Sequence, residues 1–296
     1  MSNDGHEQET TTRMKTMNEV AFEDAPERDY PRYRVEPGER VSLAAIDPDE
    51  TEHYRKKKEV AKELEKQRRR IQGLQARLYA ANERGLLIVL QAMDTGGKDG
   101  TIKHVFSGVN PQGCRVSSFK KPSAEESNHD FLWRYHKSAP ARGRIGIFNR
   151  SHYEDVLVVR VKDLVPEEIW RARYRQINDF ERNLSLDGIT VLKFFLHISK
   201  DEQKRRLTSR LDNPDKRWKF SSADIMERAF WDDYQAAFED ALTNCSTGHA
   251  PWYVVPANKK WYRNLVIART IADTLAAIDP HFPPAEEGLE NLRIPD

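Results

Sequence analysis

Short apolar runs alternate with longer amphipathic stretches along most of this chain. GLLIVLQA, at 85–92, is apolar almost throughout and reads as a strand covered on both faces. RVSSF (115–119), RIGIF (144–148), TVLKFFLHIS (190–199) and PWYVVPA (251–257) read as four more strands. Ahead of the first strand, Val60, Leu64, Ile71, Leu74 and Leu78 recur at helical spacing among Lys, Arg and Glu, which predicts one long amphipathic helix over 52–82. Further helices are predicted over 98–109, 123–138, 166–188, 200–213, 222–241 and 259–278. Ser123 and Glu126 are spaced as a capping box, and Pro166 followed by Glu167 and Glu168 suits a first turn at the positive end of a helix dipole. PDKRWKF, at 214–220, reads as a basic loop. Strands alternating with helices imply an α/β fold, a parallel sheet of about five strands in a three-layer α/β/α sandwich.

The alternation follows a different kind of sequence. Residues 1–30 have few and unpatterned apolar positions, and the first 29 carry three Lys/Arg against eight Asp/Glu, the composition of an acidic tail. A single domain is expected over 31–285, with a short tail over 286–296. Across 296 residues, 48 Lys/Arg balance 47 Asp/Glu for a net charge of +1, so the chain beyond the tail is mildly basic. Such a balance excludes action through bulk charge and directs attention to local clusters. Cys114 and Cys245 are too few for a disulfide framework. No run approaches the roughly 18 apolar residues of a membrane span, and the first residues lack the apolar core of a secretory signal. The expectation is a cytoplasmic protein with neither a membrane nor a nucleic-acid partner.

In open α/β sheets ligands bind beyond the carboxyl ends of the strands. After the first strand stand Asp94, Thr95, Gly96, Gly97, Lys98, Asp99 and Gly100. Small residues, a lysine and a helix start form the recipe of a phosphate loop, in which backbone N–H groups surround phosphate oxygens and the lysine adds charge. Against G-x-x-x-x-G-K-[ST], Gly97 and Lys98 match, Ala92 replaces the first glycine, and Asp99 replaces the hydroxyl that ordinarily ligates Mg²⁺. Asp94 is then the nearest candidate ligand. The other reading is an ordinary glycine-rich turn with a solvated lysine.

After the third strand comes FNRSHYED, with Asn149, Arg150, Glu154 and Asp155. An arginine suits bidentate phosphate contact, and Asp155 is placed to complete a metal pair with Asp94. A surface ion-pair cluster at a helix start is the competing reading. His152 receives no role. After the fourth strand, residues 203–219 carry Lys204, Arg205, Arg206, Arg210, Lys216, Arg217 and Lys219 against Asp212 and Asp215. Arg206 and Arg210 are four apart and share a helix face. This segment is similar to the arginine-bearing lid of nucleotide kinases, with the lid expected at about 203–228. The alternative is a solvated charged face, which is the reading favoured for Lys56 to Lys58 and Arg68 to Arg70.

Together these motifs resemble the polyphosphate kinase 2 family, relatives of thymidylate kinase that move a phosphoryl group between inorganic polyphosphate and a nucleotide. The resemblance runs from about Tyr33 to about Phe282 and includes QAMDTGGKDGTIKHVF, SFKKPSAEE, HDFLWR, FNRSHYEDVLVVRV, FFLHISKDEQKRRL, RLDNPDKRWKF and APWYVVPANKKWYRNL. It implies a P-loop kinase fold with a helical lid and catalytic roles for Asp94, Lys98, Arg150, Asp155 and Arg210. It further implies nucleotide or phosphate contacts by residues 95–100, Asn149, Arg150 and Glu154. Read from the residues themselves, polyphosphate contacts are expected at Lys98, Lys103, Arg206 and Arg210, with an exposed salt bridge as the other reading of Lys103, and Mg²⁺ (or Mn²⁺) at Asp94 and Asp155. The family branch preferring diphosphates reads FDRSWYNR. Asn149 and Glu154 depart from it toward the branch that takes mono- and diphosphates, so AMP and ADP are the expected acceptors, with guanine nucleotides left open. The resemblance also implies a homo-oligomer, a dimer or tetramer. The rival readings are an ATP-dependent nucleoside or nucleotide kinase, against which Asp99 weighs, and an RNA- or polyanion-binding module, for which Trp218 and Phe220 form a thin stacking platform.

Overall fold

A computed structural model describes residues 33–289 and 292–295. The acidic tail expected over 1–30 and the side chain of Lys219 lie outside the described residues. Five strands form one sheet: β1 (Gly85–Gln91), β2 (Cys114–Ser118), β3 (Ile145–Asn149), β4 (Ile189–His197) and β5 (Trp252–Pro256). All pairings are parallel and the order is β2-β3-β1-β4-β5. β1 is central, and all seven of its residues are buried, which is why it reads as one unbroken apolar run. Leu90 lies opposite both Asn149 and Phe194, so β1 and β3 end level and release their following loops side by side.

Helices α1 (Lys57–Ala81), α2 (Lys98–Val105), α3 (Ala124–Ser127), α4 (Trp133–His136), α5 (Glu154–Val161), α6 (Glu167–Leu186), α7 (Lys200–Asp212), α8 (Ser222–Ala229), α9 (Trp231–Cys245) and α10 (Lys260–Ile278) connect and cover the strands. One group packs α10 against α1 and α2, and a second packs α5, α6 and α9 together. α1 packs on α10, and Val60, Ile71 and Leu78 of its stripe are each at most 1 % exposed. Because α10 is enclosed on nearly every side, residues 262–275 are all buried.

The chain departs from expectation in several places, α5 being a helix additional to those predicted. The stretch 123–138 forms two single turns, α3 and α4, rather than one helix: Asp130 Oδ1 accepts the Leu132 N–H at 2.9 Å and stops the first turn from continuing. The Ser123–Glu126 capping box is present. The helix foreseen over 222–241 breaks at Phe230 into α8 and α9. PDKRWKF holds a 3₁₀ turn, Pro214–Lys219, opened by the Asn213 side chain, which accepts from the Asp215 N–H. Residues 33–56 form a strap across the β5 edge: Val35 N–H donates to Trp252 O at 2.9 Å and Val254 N–H to Tyr33 O at 2.8 Å. Among the described residues, no helix is long and apolar enough to cross a membrane.

Candidate active site at the phosphate loop

The loop between β1 and α2 is wound tightly by its small residues. Gly96 N–H returns to Met93 O at 2.9 Å, and a side chain at Gly96 would collide with Ala92. Gly97 has φ +105°, in the region that favours glycine, and leads directly into α2. The first-turn N–H groups of Lys98, Asp99 and Gly100 have no intrahelical acceptor and face an anion position. Lys98 Nζ folds back to donate to Ala92 O at 3.2 Å. Removal from water, with Arg150 nearby, lowers its pKa, while Asp94, Glu154 and Asp99 pull the other way. Asp99, in the place of a hydroxyl, accepts from Asn149 Nδ2 at 2.8 Å and so ties the loop to the end of β3.

The turn after β3 carries the second group. Arg150 has φ +63°, and its N–H donates to Leu90 O at 3.1 Å. Its guanidinium donates to Asp94 Oδ1 at 3.1 Å and lies 3.6 Å from Glu154 Oε2. Burial works against its charge, but Glu154 and Asp94 outweigh that and hold its pKa above the ordinary value. A fully buried cluster supports this turn. Lys193 Nζ donates to Glu181 Oε2 at 2.5 Å, to Tyr153 OH at 2.8 Å and to Cys245 O at 2.6 Å. Glu181 Oε1 accepts from Tyr153 OH at 2.9 Å and meets His152 Nε2 at 3.0 Å. Residues 152–153 are thus anchored from below while Arg150 and Glu154 face the loop.

Asp155 stands apart from the rest of that motif. Its Oδ2 accepts from Tyr135 OH at 3.0 Å, and Arg134 and Arg173 lie 4.0 and 3.7 Å away. Burial raises its pKa even though Tyr135 and both arginines favour the anion. It ties α5 to α4 and α6. Asp94, 30 % exposed at the side chain, faces the loop mouth with one oxygen on Arg150. Among the described residues, no three His, Cys, Asp or Glu side chains gather as a metal site. Mg²⁺ ordinarily takes one or two carboxylates and fills its shell with water and substrate phosphates, so Asp94 fits such an ion.

The basic segment divides by residue. Arg206, which its place in the basic segment predicts to be a polyphosphate contact, is instead drawn inward and 6 % exposed. Its Nε donates to Glu202 at 2.6 Å, Nη1 to Thr95 O and Gly96 O at 3.0 and 2.9 Å, and Nη2 to Ala257 O and Asn258 O at 2.5 and 3.2 Å. Five N–H groups meet five protein oxygens, so the guanidinium is committed to the loop carbonyls. Arg210 is half-buried, with Nη1 3.7 Å from Asp224 Oδ2 of α8. Lys103 is exposed on α2, away from the loop's first turn.

Two contributors were missed by sequence reasoning. Asp224 of α8 has its pKa raised first by burial and then by the negative charge of Asp94, so the two carboxylates are within electrostatic reach of one another. Its only sequence signal is its position three after Ser221, a capping-box spacing. Gln203 Nε2 donates to Asp94 O at 3.2 Å, and its Oε1 accepts from Arg228 of α8 at 2.9 Å, bridging the loop to the segment above it.

The family model described as polyphosphate kinase 2 matches residues 54–283, a span holding both strand-end motifs and the basic segment. This chain belongs to the polyphosphate kinase 2 family. It is 53% identical over 264 residues to the AMP/ADP-polyphosphate phosphotransferase of Meiothermus ruber, covering 89% of this chain and 99% of that one. It is 46% identical over 264 residues to the ADP-polyphosphate phosphotransferase of Rhodopseudomonas palustris, covering 85% and 91%. The crystal structure of polyphosphate kinase 2 from Arthrobacter aurescens superposes with a TM-score of 0.84 at 45% identity, covering 88% of this chain and 93% of that one. The α/β sheet with its phosphate loop is therefore a polyphosphate kinase 2 fold in this chain as well.

Proposed function

We propose that this chain is a polyphosphate-dependent nucleotide kinase, transferring the terminal phosphoryl group of inorganic polyphosphate to AMP or ADP in the cytoplasm. The observation that carries the reading is the meeting of Lys98, Asp94 and Arg150 at one sheet edge, under Asp224 and Arg210 of the basic segment. The names borne by the Meiothermus and Rhodopseudomonas relatives support the same reaction. An oxygen of the acceptor's terminal phosphate attacks the terminal phosphorus of polyphosphate, the bridging P–O bond breaks, and the remaining chain leaves one phosphate shorter. No protein nucleophile is needed. Loop N–H groups and Lys98 hold one set of phosphates, and Arg150 orients the other. Mg²⁺, when bound, supplies charge neutralisation at the phosphate oxygens, with Asp94 as the residue to hold it. Asp155 contributes by fixing α5.

Acceptor choice is assigned to Asn149 and Glu154, and the working form to a homo-oligomer. The test is an incubation of purified protein with ADP and polyphosphate, no ATP supplied, repeated with AMP and GDP. Formation of ATP from ADP, and of ADP from AMP, is the expected result. Phosphorylation only when ATP is supplied would overturn the proposal in favour of an ATP-dependent kinase.

A further inference from the structure

Arg263 lies beneath the phosphate loop, on the first turns of α10, and is 1 % exposed. Its Nε and Nη2 donate to Asn264 Oδ1 at 3.1 and 2.8 Å, and its Nη1 to Gly96 O at 3.3 Å. Every one of these acceptors is neutral. Among the described residues, no carboxylate oxygen lies within 4 Å of this guanidinium, although a buried charge is ordinarily paired. A second cation is close by: Arg206 donates to the same Gly96 carbonyl at 2.9 Å.

The two guanidinium groups therefore hold one loop carbonyl from behind. All peptides here are trans, so the N–H that shares the peptide plane with Gly96 O points the opposite way, toward the loop mouth. Gly97 makes the approach possible, since a side-chain carbon there would overlap Arg263 Nη1, and Gly100 is also within reach of the same group. Burial first, and then the Arg206 charge, push the Arg263 guanidinium down to about 9. With the positive end of α2 close by, this is a concentration of positive charge with no internal counterion at Arg263.

Resting on the reading of the loop as a phosphate site, we infer that Arg263 is a positioning residue whose buried charge is balanced by the bound phosphate itself, so that anion binding and stability are coupled through it. The loop's aim and its charge then come from α10, more than 160 residues away in sequence.

Inorganic tripolyphosphate, the probe, should raise the Tm of the wild-type protein. In Arg263→Gln the Tm without anion should stay level or rise, because an unpaired buried charge is gone, while the tripolyphosphate-induced increase should shrink at least about threefold. Asn264→Asp supplies the missing carboxylate at an atom that already accepts two Arg263 bonds. It should stabilise the anion-free protein and likewise blunt the increase, and it serves even if Arg263→Gln does not fold. In both variants the KM for polyphosphate should rise more than kcat falls. A full tripolyphosphate-induced increase in Asn264→Asp, or a lowered anion-free Tm with an intact increase in Arg263→Gln, would overturn the inference. Absence of any increase in the wild type would instead contradict the phosphate-site reading.

Discussion

Arg206 and Arg210 stand one helical turn apart and are used in opposite ways. The first spends its whole fork on Glu202 and four backbone oxygens around the loop, and the second reaches Asp224 in the layer above. Spacing put both on one face, yet only the distant acceptors at Thr95, Gly96, Ala257 and Asn258 decide which turns inward. Gly97 is under a similar long-range constraint. Gly97→Ala combines an unfavourable positive φ with displacement of Arg263, so kcat/KM for ADP and polyphosphate should fall at least about tenfold while far-UV circular dichroism stays unchanged. His152 gives a pH prediction. Burial lowers its pKa, against the raising effects of Glu181 and with Lys193 adding to the fall, so the folded protein keeps the imidazole neutral. The unfolded chain takes up that proton as pH drops below about 6.5. Stability is thus fully present above that pH and is lost progressively as pH falls toward the depressed folded value. His197 and His249 act in the same direction, so His152→Gln should reduce the slope of Tm against pH between about 8 and about 5.5 without abolishing it. An unaltered slope would show that His152 does not carry this linkage.

At the scale of elements, α1 is held by its apolar stripe on α10. Ile71 is fully buried in the core, and Ile71→Ala should cost about 3 kcal/mol in urea unfolding while leaving KM for both substrates unchanged, because Ile71 offers packing and no polar group to a substrate. The same stripe was legible in sequence because periodicity records burial on one face. β1, β3, β4 and β5 were legible for a related reason, since buried apolar runs between helices admit few other arrangements. What periodicity does not record is a hydrogen bond made across the fold. The strap over 33–56 has no regular pattern, and its contacts, such as Tyr33 OH with Tyr262 OH at 2.5 Å, join residues far apart in the chain. Single turns such as α3 and α4 are set by Asp130 rather than by any stripe. Within the site, the glycine-lysine loop and the FNRSHYED turn announced themselves through residue types following strands. Asp224 and Arg263 did not, because one sits in α8, whose break from α9 at Phe230 is invisible in the pattern. The other is a base inside an apolar helix, a residue type that is ordinarily exposed.

The whole molecule is close to electroneutral, at +1 over 296 residues, yet its cations are not evenly answered. Glu181 and Lys193 neutralise one another beneath the β3 turn, and Asp155 is met by Arg134 and Arg173. Around the phosphate loop the balance differs: among the described residues no carboxylate pairs with Arg263, and Lys98 is held with a lowered pKa. A nearly neutral protein can in this way bind one phosphate chain locally without attracting polyanions everywhere. The central claim is that this loop, with Asp94 facing its mouth, performs the transfer from polyphosphate. Its most direct test is the rate of ATP formation from ADP and polyphosphate, with no ATP supplied, in wild type and in Asp94→Asn, with Tm measured in parallel. A Tm within a few degrees of wild type and a rate lower by about 100-fold or more are expected. A near wild-type rate in folded Asp94→Asn would contradict that claim.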